Sequence, residues 1–381
     1  MSIPDRAQRV LPGGNTRTTL FVPPHPPYAV RGNGALITDD TGHRVIDCNN
    51  NYTSLIHGHA RAEVLETAIE AARSGTAFGL PTASEVALAE HLRDRTGIEQ
   101  WRFCNSGSEA VLMLLRAARA YTGRDLIIRF DGSYHGTGDA LVPPEAPGLA
   151  KSVSESVLVL PQNDLAAVEK ALHEHGARVA AVLIDLMPNR AGLIPADPEY
   201  VTALRNLTRQ HATLLAVDEV ITFRLREGGL HTDYDIQPDL VSVGKVIGGG
   251  FPVGAIGGSA EVLSPFAPTA PGAVSWGGTF SANPVTMAAG LTALQLFGAT
   301  EITELNQRGD AVRARLLKAD VPVRGSGSLL RLTTPNPTEL WWKLYHAGVL
   351  AGTNGLLALS TAMTDAQLDQ ITDGVTRAFR T

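Results

Sequence analysis

The sequence predicts an α/β protein: a large domain with a mostly parallel seven-stranded sheet flanked by helices, plus a small α+β domain from both termini. Three observations support this fold class. Short apolar runs recur from about residue 100 onward, most gaps between them carry a helical pattern, and ionisable residues follow two of the runs. Alternating strands and helices connect through right-handed crossovers, which gives a parallel sheet covered by helices.

Seven apolar runs are the predicted strands of this sheet. Six are bounded by polar residues or turn formers, as expected for parallel strands buried on both faces. The seventh follows three consecutive glycines and is predicted to be an antiparallel addition. The runs are Trp101–Cys104, Leu126–Phe130, Val157–Leu160, Val179–Ile184, Leu214–Val217, Leu240–Val243 and Pro252–Gly258.

Helices are predicted between the strands and in both flanks, from apolar periodicity and from capping residues. An N-cap followed by proline and an apparent Ser/Thr-x-x-Glu/Gln box are typical of helix starts. The predicted helices are Ala62–Ser74, one starting at Thr82, one from Ala110, one opened by Asp197-Pro198, Pro284–Phe297, and one capped by Thr364 and Gln367.

The first 45 residues are rich in Pro, Gly and Thr, and we predict an extended arm there. Within the arm, residues 34–37 and 44–47 flank a turn sequence and predict a hairpin. The predicted domains are residues 1–50 for the arm and part of the small domain, 51–284 for the large domain, and 285–381 for the C-terminal small domain.

Composition excludes several classes of partner. The formal net charge is 32 − 38 = −6, without a run of Lys or Arg, so nucleic acid and anionic membranes are poor partners. Cys48 and Cys104 are too few for a disulfide scaffold and lack metal-ligand spacing, so we expect no metal and a reducing cytoplasm. No apolar run has the length of a membrane span, and the first residues do not resemble a signal peptide.

Two ionisable residues stand at the ends of two buried runs. Asp218 follows Leu214–Val217, and Lys245 follows Leu240–Val243 and one glycine. Because the carboxyl ends of parallel strands form the ligand crevice, we expect both side chains in one pocket. Apolar and glycine neighbours surround Lys245, so its amine loses part of its preference for the charged form and can attack an aldehyde.

A phosphate-binding segment and an aromatic side chain complete this pattern. Ser106, Gly107 and Ser108 lie between a strand and a helix, where hydroxyls and first-turn N–H groups favour an anion. An ordinary serine N-cap is the alternative interpretation. Tyr134, in a loop after a strand, is suited to stack on a ring, or is a loop tyrosine without a ligand. Phosphate site, amine and carboxylate together fit pyridoxal phosphate.

These motifs resemble those of the class III aminotransferases of the fold-type I pyridoxal phosphate enzymes. The branch is the one that contains glutamate-1-semialdehyde aminomutase and the β-phenylalanine aminotransferases. The motifs are LPGGNTR, HGHA, NSGSEA, SYHG, DEVITFR, GKVIGGG and GGTFSANP, between about Leu11 and Phe297, with a weaker continuation to the C-terminus. The resemblance implies pyridoxal 5'-phosphate as the cofactor and a homodimer as the assembly.

The resemblance also implies a role for each matching residue. Lys245 would form the Schiff base with the cofactor, and Asp218 would pair with its pyridine nitrogen. The other cofactor-binding positions are Ser106, Gly107 and Ser108 at the phosphate, Tyr134 and Val220 on the two faces of the ring, His135 and Asp185 beside it, and Thr279 at the phosphate of the neighbouring subunit.

Substrate contacts are expected from Arg17, Arg190 and Asn51. Arg17 lies in the arm and matches a carboxylate anchor of relatives, which a guanidinium binds through a bidentate fork. Arg190 lies in a loop after a strand that faces the same crevice. The chain departs from the relatives at Asp185-Leu186, where they carry Glu-Pro, at Asn51, where the β-phenylalanine enzymes carry Glu, and at residues 353–355, near their second substrate arginine.

Three functions follow from this pattern. The prediction is an aminotransferase that moves an amino group between an amino acid or amine, including a β-amino acid, and a keto acid or ketone through Lys245. An aminomutase or racemase of the same fold would use the same lysine and carboxylate within one substrate. A non-catalytic cofactor-binding or scaffold protein is the third, and the intact Lys245 and Asp218 argue against it.

Overall fold

The structure, a computed structural model, describes residues 2–380, and these divide into two compact units. One unit combines the residues up to Ala62 with those from Thr303 onward, and the other is Glu63–Ile302. The boundaries predicted from the sequence, 50/51 and 284/285, lie earlier in the chain. The helix Pro284–Gln295 packs against the helix Ala83–Thr96, so it is part of the second unit.

Strands and helices are numbered here in chain order over the described residues. The strands are β1 Ala29–Asn33, β2 Leu36–Asp39, β3 Arg44–Asp47, β4 Gln100–Cys104, β5 Leu126–Phe130, β6 Val157–Leu160, β7 Val179–Ile184, β8 Leu214–Asp218, β9 Leu240–Gly244, β10 Gly254–Gly258, β11 Val323–Ser326, β12 Leu329–Leu332, β13 Val349–Leu350 and β14 Leu356–Ala358. The helices are α1 Ile3–Val10, α2 Asn50–Thr53, α3 Ala62–Ser74, α4 Ala83–Thr96, α5 Gly107–Thr122, α6 Lys151–Ser154, α7 Leu165–His175, α8 Pro198–Gln210, α9 Ala260–Leu263, α10 Pro284–Gln295, α11 Ala299–Lys318, α12 Pro337–His346 and α13 Asp365–Arg380.

The second unit is built around a seven-stranded sheet with the strand order β4-β10-β9-β8-β7-β5-β6. Only β10 is antiparallel to its neighbours, β4 and β9, and the other pairings are parallel. All seven predicted strands are present. Their bounds agree at β5, β6 and β7 and differ by one or two residues elsewhere. The predicted mostly parallel seven-stranded sheet is therefore confirmed.

The middle of this sheet is buried along its whole length. Every residue of β7, β8 and β9 is buried, as expected for strands covered on both faces. Helix α5 contributes its apolar face, including Leu114 and Leu115, to the same core. Because β5, β7, β8 and β9 are parallel, their carboxyl ends meet at one edge of the sheet, and the residues that follow those ends lie close together.

The first unit is α+β, as predicted, and contains two small sheets. The first has the order β1-β2-β3-β13, and the second has the order β11-β12-β14. Trp341 and Tyr345 of α12 stack with ring centroids 5.1 Å apart, and they pack with Val22 and Val45 in one buried cluster. The predicted capping box of α13 is present, since Thr364 and Gln367 exchange both side-chain-to-backbone hydrogen bonds.

Two local predictions were wrong. The first residues are not wholly extended, because Ser2 and Asp5 form a reciprocal capping box that starts helix α1, where a proline fits the first turn. At α4 the helix begins as predicted, but the Thr82 side chain makes no cap hydrogen bond to the helix. Its hydroxyl pairs instead with the Ser84 hydroxyl at 3.0 Å, and this competes with capping.

Taken singly, none of the helices in residues 2–380 is long and apolar enough to cross a membrane. Helices α10 and α11 pass that length and composition test only as a joined pair, and the pair is bent by 73°.

Candidate active site

Asp185, Asp218 and Lys245 stand at the carboxyl ends of three adjacent parallel strands. Asp185 directly follows β7, Asp218 ends β8, and Lys245 directly follows β9. The strand register aligns Ile184 with Val217. The next pair of strands aligns Asp218 with Ser242, three residues before the lysine. We call Asp185, Asp218 and Lys245, together with His135, the strand-end cluster.

Asp218 is buried, and three donors hold both of its carboxylate oxygens. Oδ1 accepts from the Val220 N–H and from the Ser242 hydroxyl, each at 3.0 Å. Oδ2 lies 2.7 Å from His135 Nδ1, and because a carboxylate only accepts, Nδ1 carries the proton. The carboxylate is thereby fixed in orientation.

Ser242 was missed by the sequence analysis, although it bears directly on this carboxylate. A signal was present: it is the one polar residue in the buried run Leu240–Val243, which otherwise consists of Leu and Val. The parallel register then sets it opposite Asp218, which a sequence pattern does not specify.

Burial raises the pKa of Asp185 well above its ordinary value, and the nearby carboxyl groups of Asp218 and Glu219 raise it further. The Met187 N–H, which donates to Asp185 Oδ1 at 2.9 Å, and the Lys245 ammonium oppose this shift in pKa. The structure therefore brings Asp185 within electrostatic reach of Asp218 and Lys245. The hydrogen bond from the Met187 N–H ties the Asp185 side chain to its own loop.

Lys245 is half-buried and has a left-handed backbone conformation, with φ of 50°. This conformation costs a residue other than glycine about 1–2 kcal/mol, so the surrounding structure must maintain it. Strained backbone of this kind is concentrated at functional sites, where the fold holds a side chain in a required direction.

Ser106, Gly107 and Ser108 form the N-terminal end of helix α5. The Ser106 hydroxyl accepts from the Glu109 N–H at 3.1 Å and is the N-cap. The N–H groups of Gly107 and Ser108 belong to the first turn, which has no intrahelical acceptor for them. The predicted N-cap and the predicted anion site are therefore compatible.

The loops that follow β4, β5 and β8 converge on this helix end. A Cβ at Gly107 would lie 2.7 Å from Val220 Cγ1, so only glycine permits this approach. A Cβ at Gly136, where φ is 115°, would lie 2.5 Å from the Ser108 hydroxyl oxygen. The predicted phosphate segment thus contacts both Val220 and the loop containing Tyr134 and His135.

Two polar atoms in the loop after β5 are buried and lack a protein partner. They are the Ser133 hydroxyl oxygen and His135 Nε2. Orphaned buried atoms of this kind are satisfied by bound polar groups or by water. Together with the Asp218 carboxylate, the Lys245 amine and the first turn of α5, they form a donor and acceptor set that fits pyridoxal phosphate.

Tyr134 and Arg190 form a stacked pair within the same unit. Arg190 Cζ lies 3.8 Å from the centroid of the Tyr134 ring. Arg190 is exposed, and Tyr134 is half-buried. The predicted substrate arginine is therefore packed on the predicted ring-stacking residue.

Arg17 and Asn51 belong to the other compact unit, where they contact each other. Arg17 Nη1 donates to Asn51 Oδ1 at 2.7 Å, and the guanidinium carbon lies 5.5 Å from the centroid of the Tyr52 ring. The Tyr52 hydroxyl donates to the Thr19 carbonyl oxygen, to which the Thr353 hydroxyl also donates at 2.9 Å. We call these five residues, Arg17, Thr19, Asn51, Tyr52 and Thr353, the arm cluster.

The short element α2, which includes Asn51 and Tyr52 of the arm cluster, is a left-handed turn rather than a right-handed helix. Asn50, Asn51, Tyr52 and Thr53 have φ of 49°, 48°, 53° and 77°. Asp47 Oδ1 accepts from the Asn50 N–H at 2.8 Å, and its Oδ2 lies 2.8 Å from His59 Nε2. Four consecutive left-handed residues are strained, so these hydrogen bonds are needed to hold Asn51 and Tyr52 in place.

Thr279 is not brought to the strand-end cluster by any described contact and lies on an exposed loop. Together with residues 77–82, Glu85 and residues 281–284, it lines a cavity of about 270 Å³. Several large apolar side chains nearby are exposed, namely Phe78, Leu80 and Phe280. In residues 2–380, no group of three or more His, Cys, Asp or Glu side chains is arranged to hold a metal ion.

Comparisons with known proteins agree with this geometry. The family model described as "Aminotransferase class-III" matches residues 22–379. A glutamate-1-semialdehyde 2,1-aminomutase of Methanothermobacter thermautotrophicus is 37% identical over 86% of this chain and 81% of its own length. An ω-transaminase structure from Sphaerobacter thermophilus is 41% identical, covers 99% of this chain and 96% of its own, and has a TM-score of 0.95. A β-phenylalanine aminotransferase structure from Variovorax paradoxus is 35% identical over 98% and 92% of the two chains, with a TM-score of 0.90. The chain belongs to the class III aminotransferase family.

Proposed function

We propose that this protein is a pyridoxal phosphate-dependent aminotransferase that moves an amino group between an amino acid or amine, including a β-amino acid, and a keto acid or ketone. The observation that carries the proposal is the strand-end cluster. Adjacent parallel strands present the Lys245 amine and the Asp218 carboxylate at one edge of the sheet, and His135 and Ser242 hold the carboxylate.

Each predicted residue has a place in this function. When bound, pyridoxal phosphate supplies an aldehyde for amines and a ring that withdraws electrons from the substrate carbon. Lys245 would hold its aldehyde carbon and Asp218 its ring nitrogen. Other contacts would come from Ser106, Gly107 and Ser108 at the phosphate, Tyr134 and Val220 at the ring faces, and Asp185 and His135 beside the ring.

The chain's own groups then carry out the proton chemistry. Lys245 Nζ would accept the proton from the substrate carbon that bears the amino group, which is general-base catalysis by an amine freed from its attachment. Asp218 would face the ring nitrogen, and its three hydrogen-bond donors would hold the carboxyl group in place there.

We further propose that the substrate carries a carboxylate that binds Arg17. The Arg17 guanidinium donates to the neutral Asn51 amide oxygen, so the positive charge is not compensated by this contact. A carboxylate at position 51 would form an ion pair with Arg17 instead. Arg190 remains the second candidate for carboxylate binding.

An aminomutase or racemase is the second candidate function. Curated relatives named glutamate-1-semialdehyde 2,1-aminomutase are 37% to 42% identical to this chain. The solved transaminase from Sphaerobacter thermophilus matches the whole chain at 41%. We favour the aminotransferase because that match covers nearly all of both chains.

The experiment is a panel of α-, β- and ω-amino donors in single half-reactions, followed by cofactor absorbance and by assay of keto products. An aminotransferase converts the enzyme to its pyridoxamine form and releases one keto product per site. Isomerised substrate without free keto product would instead establish the aminomutase or racemase. The Lys245→Ala protein serves as the inactive control.

We propose a cytoplasmic homodimer in which Thr279 reaches the phosphate of the neighbouring subunit. The exposed Phe78, Leu80 and Phe280 near Thr279 support an interface there, and the buried, free thiols of Cys48 and Cys104 suit a reducing compartment. Mixing Lys245→Ala with Thr279→Ala chains tests the shared site. A mixed dimer has one site without either lesion, so mixing should restore activity, and no recovery would contradict sharing.

A further inference from the structure

Arg190 makes a close contact with the Tyr134 ring, and its side chain makes no hydrogen bond or ion pair with the other described residues. The guanidinium carbon lies 3.8 Å from the ring centroid, compared with 5.5 to 5.8 Å for the other cation–π contacts of the chain. Within residues 2–380, no hydrogen bond or ion pair involves the Arg190 side chain. The stack on Tyr134 is therefore the interaction that orients this side chain.

Neighbouring strands bring the two residues together. Tyr134 is in the loop after β5, Arg190 is in the loop after β7, and β5 pairs with β7 in the sheet. The two loops touch, since a Cβ on Gly132 would lie 3.0 Å from the Ala191 Cβ. The residue after Tyr134, His135, is itself fixed by its hydrogen bond to Asp218. The backbone on both sides of Tyr134 is thus restrained, and Arg190 restrains its ring.

We propose that Arg190 is a positioning residue rather than a carboxylate anchor. It holds the plane of the Tyr134 ring and, through that ring, the position of the bound cofactor. This inference rests on the proposed function, in which Tyr134 covers one face of the pyridine ring. A planar guanidinium is well suited to the task because it stacks on an aromatic face while its edge stays hydrated. In this arrangement Arg190 meets one face of Tyr134, and the cofactor would cover the other.

The proposal and the anchor hypothesis predict different losses. If Arg190 holds Tyr134, its removal weakens cofactor binding and disturbs the asymmetric environment of the cofactor, regardless of the substrate. If Arg190 binds a carboxylate, its removal raises KM for acidic substrates and leaves cofactor binding unchanged. Arg17 is left as the candidate carboxylate anchor if the first pattern is observed.

The test compares Arg190→Gln and Arg190→Lys with the matched control Arg209→Gln, an exposed arginine of α8. The readouts are the pyridoxal phosphate dissociation constant, the circular dichroism of the bound cofactor, and KM for one acidic and one neutral donor. We expect Arg190→Gln to raise the dissociation constant by about 2- to 5-fold, in keeping with one exposed cation–π contact. The ratio of the two KM values should not change, and Arg190→Lys should recover part of the loss.

A double variant separates the stack from a general effect of charge. In a Tyr134→Leu background, Arg190→Gln should produce no further change in the cofactor dissociation constant, because the partner ring is already absent. Additive losses, unchanged cofactor binding, or a loss confined to the KM of acidic donors would each overturn the proposal. Melting curves and far-ultraviolet spectra confirm that every variant is folded. Failure of the wild-type protein to bind pyridoxal phosphate would instead overturn the proposed function.

Discussion

The strand-end cluster and the arm cluster are held by different kinds of structure. Asp218 of the strand-end cluster is aligned with Ser242, its hydrogen-bond donor, by the register of two adjacent parallel strands. Arg17 and Asn51 lie outside the sheets and are joined by a hydrogen bond between residues 34 positions apart. The first arrangement depends on regular backbone pairing, and the second depends on individual side-chain contacts.

This difference has a physical consequence. A residue at the end of a buried strand is positioned by many backbone hydrogen bonds and by apolar packing, so few alternatives exist for it. The left-handed turn at Asn50–Thr53 is locally unfavourable and is maintained by contacts from Asp47 and Asn49. We therefore expect substitutions in the strand-end cluster to affect the chemical step and substitutions in the arm cluster to affect substrate selection and stability.

The largest expected effect is that of Lys245→Ala in the strand-end cluster. Loss of the amine removes both the covalent attachment and the general base, so kcat should fall by about 10³-fold or more. Steady-state kinetics and cofactor absorbance measure this, with the exposed Lys151→Ala as a control. If Lys245→Ala still showed the absorption band of a Schiff base between protein and cofactor, and still turned over substrate, another residue would be the catalytic amine.

Arg17→Ala in the arm cluster should change substrate selection without a comparable change in kcat. A charged hydrogen-bond pair contributes about 1.5–3 kcal/mol, so KM for acidic donors should rise roughly 10- to 100-fold. KM for neutral amines should change little. The exposed Arg9 of α1 provides the control Arg9→Ala, and equal effects on acidic and neutral donors would contradict the anchor role.

Asp185→Asn should alter how stability depends on pH. Because the folded-state pKa of Asp185 is raised well above its ordinary value of 3.8, its favourable contribution is complete below about pH 4 and is lost as pH rises through the folded pKa. Asparagine releases no proton, so the variant should gain stability relative to wild type with increasing pH, by about 1.4 kcal/mol per unit of raised pKa.

Urea unfolding of the Asp185→Asn protein across this pH range measures the effect. The exposed Asp139→Asn, in the same unit, is the control and should run parallel to wild type. A constant difference between Asp185→Asn and wild type at every pH would mean that the buried carboxyl group does not titrate abnormally.

The smallest expected effect is the difference in stability between two substitutions of Asn51 in the left-handed turn. Asn51→Ala and Asn51→Gly both remove the acceptor for Arg17, but only alanine strains the backbone, where φ is 48°. The glycine variant should therefore be more stable to urea by about 1 kcal/mol. At the exposed helical position Glu169 of α7, the same two substitutions should show the opposite order. The same order at both positions would argue against a left-handed turn.

Much of the fold could be predicted because its signals are local. The runs at β5, β6 and β7 gave the correct bounds, since apolar residues between turn formers are sufficient to define a buried strand. Helix α1 was missed because the Pro- and Gly-rich residues that follow it obscured the short capping box at its start. The interaction of Thr82 with Ser84 was also beyond prediction, because the Thr82 hydroxyl can bond either to a first-turn N–H or to the Ser84 hydroxyl, and the sequence pattern does not decide between them.

The sequence by itself determined which chemical groups follow the strands. It therefore also determined that a lysine and a carboxylate lie near each other at one edge of a parallel sheet. Only the tertiary structure decided what surrounds them. It supplied Ser242 and His135 for Asp218, the stack of Arg190 on Tyr134, and the turn that joins Asn51 to Arg17. Strand ends follow from local apolar patterns, whereas these partners depend on register, loop packing and contacts between distant residues, which no local pattern specifies.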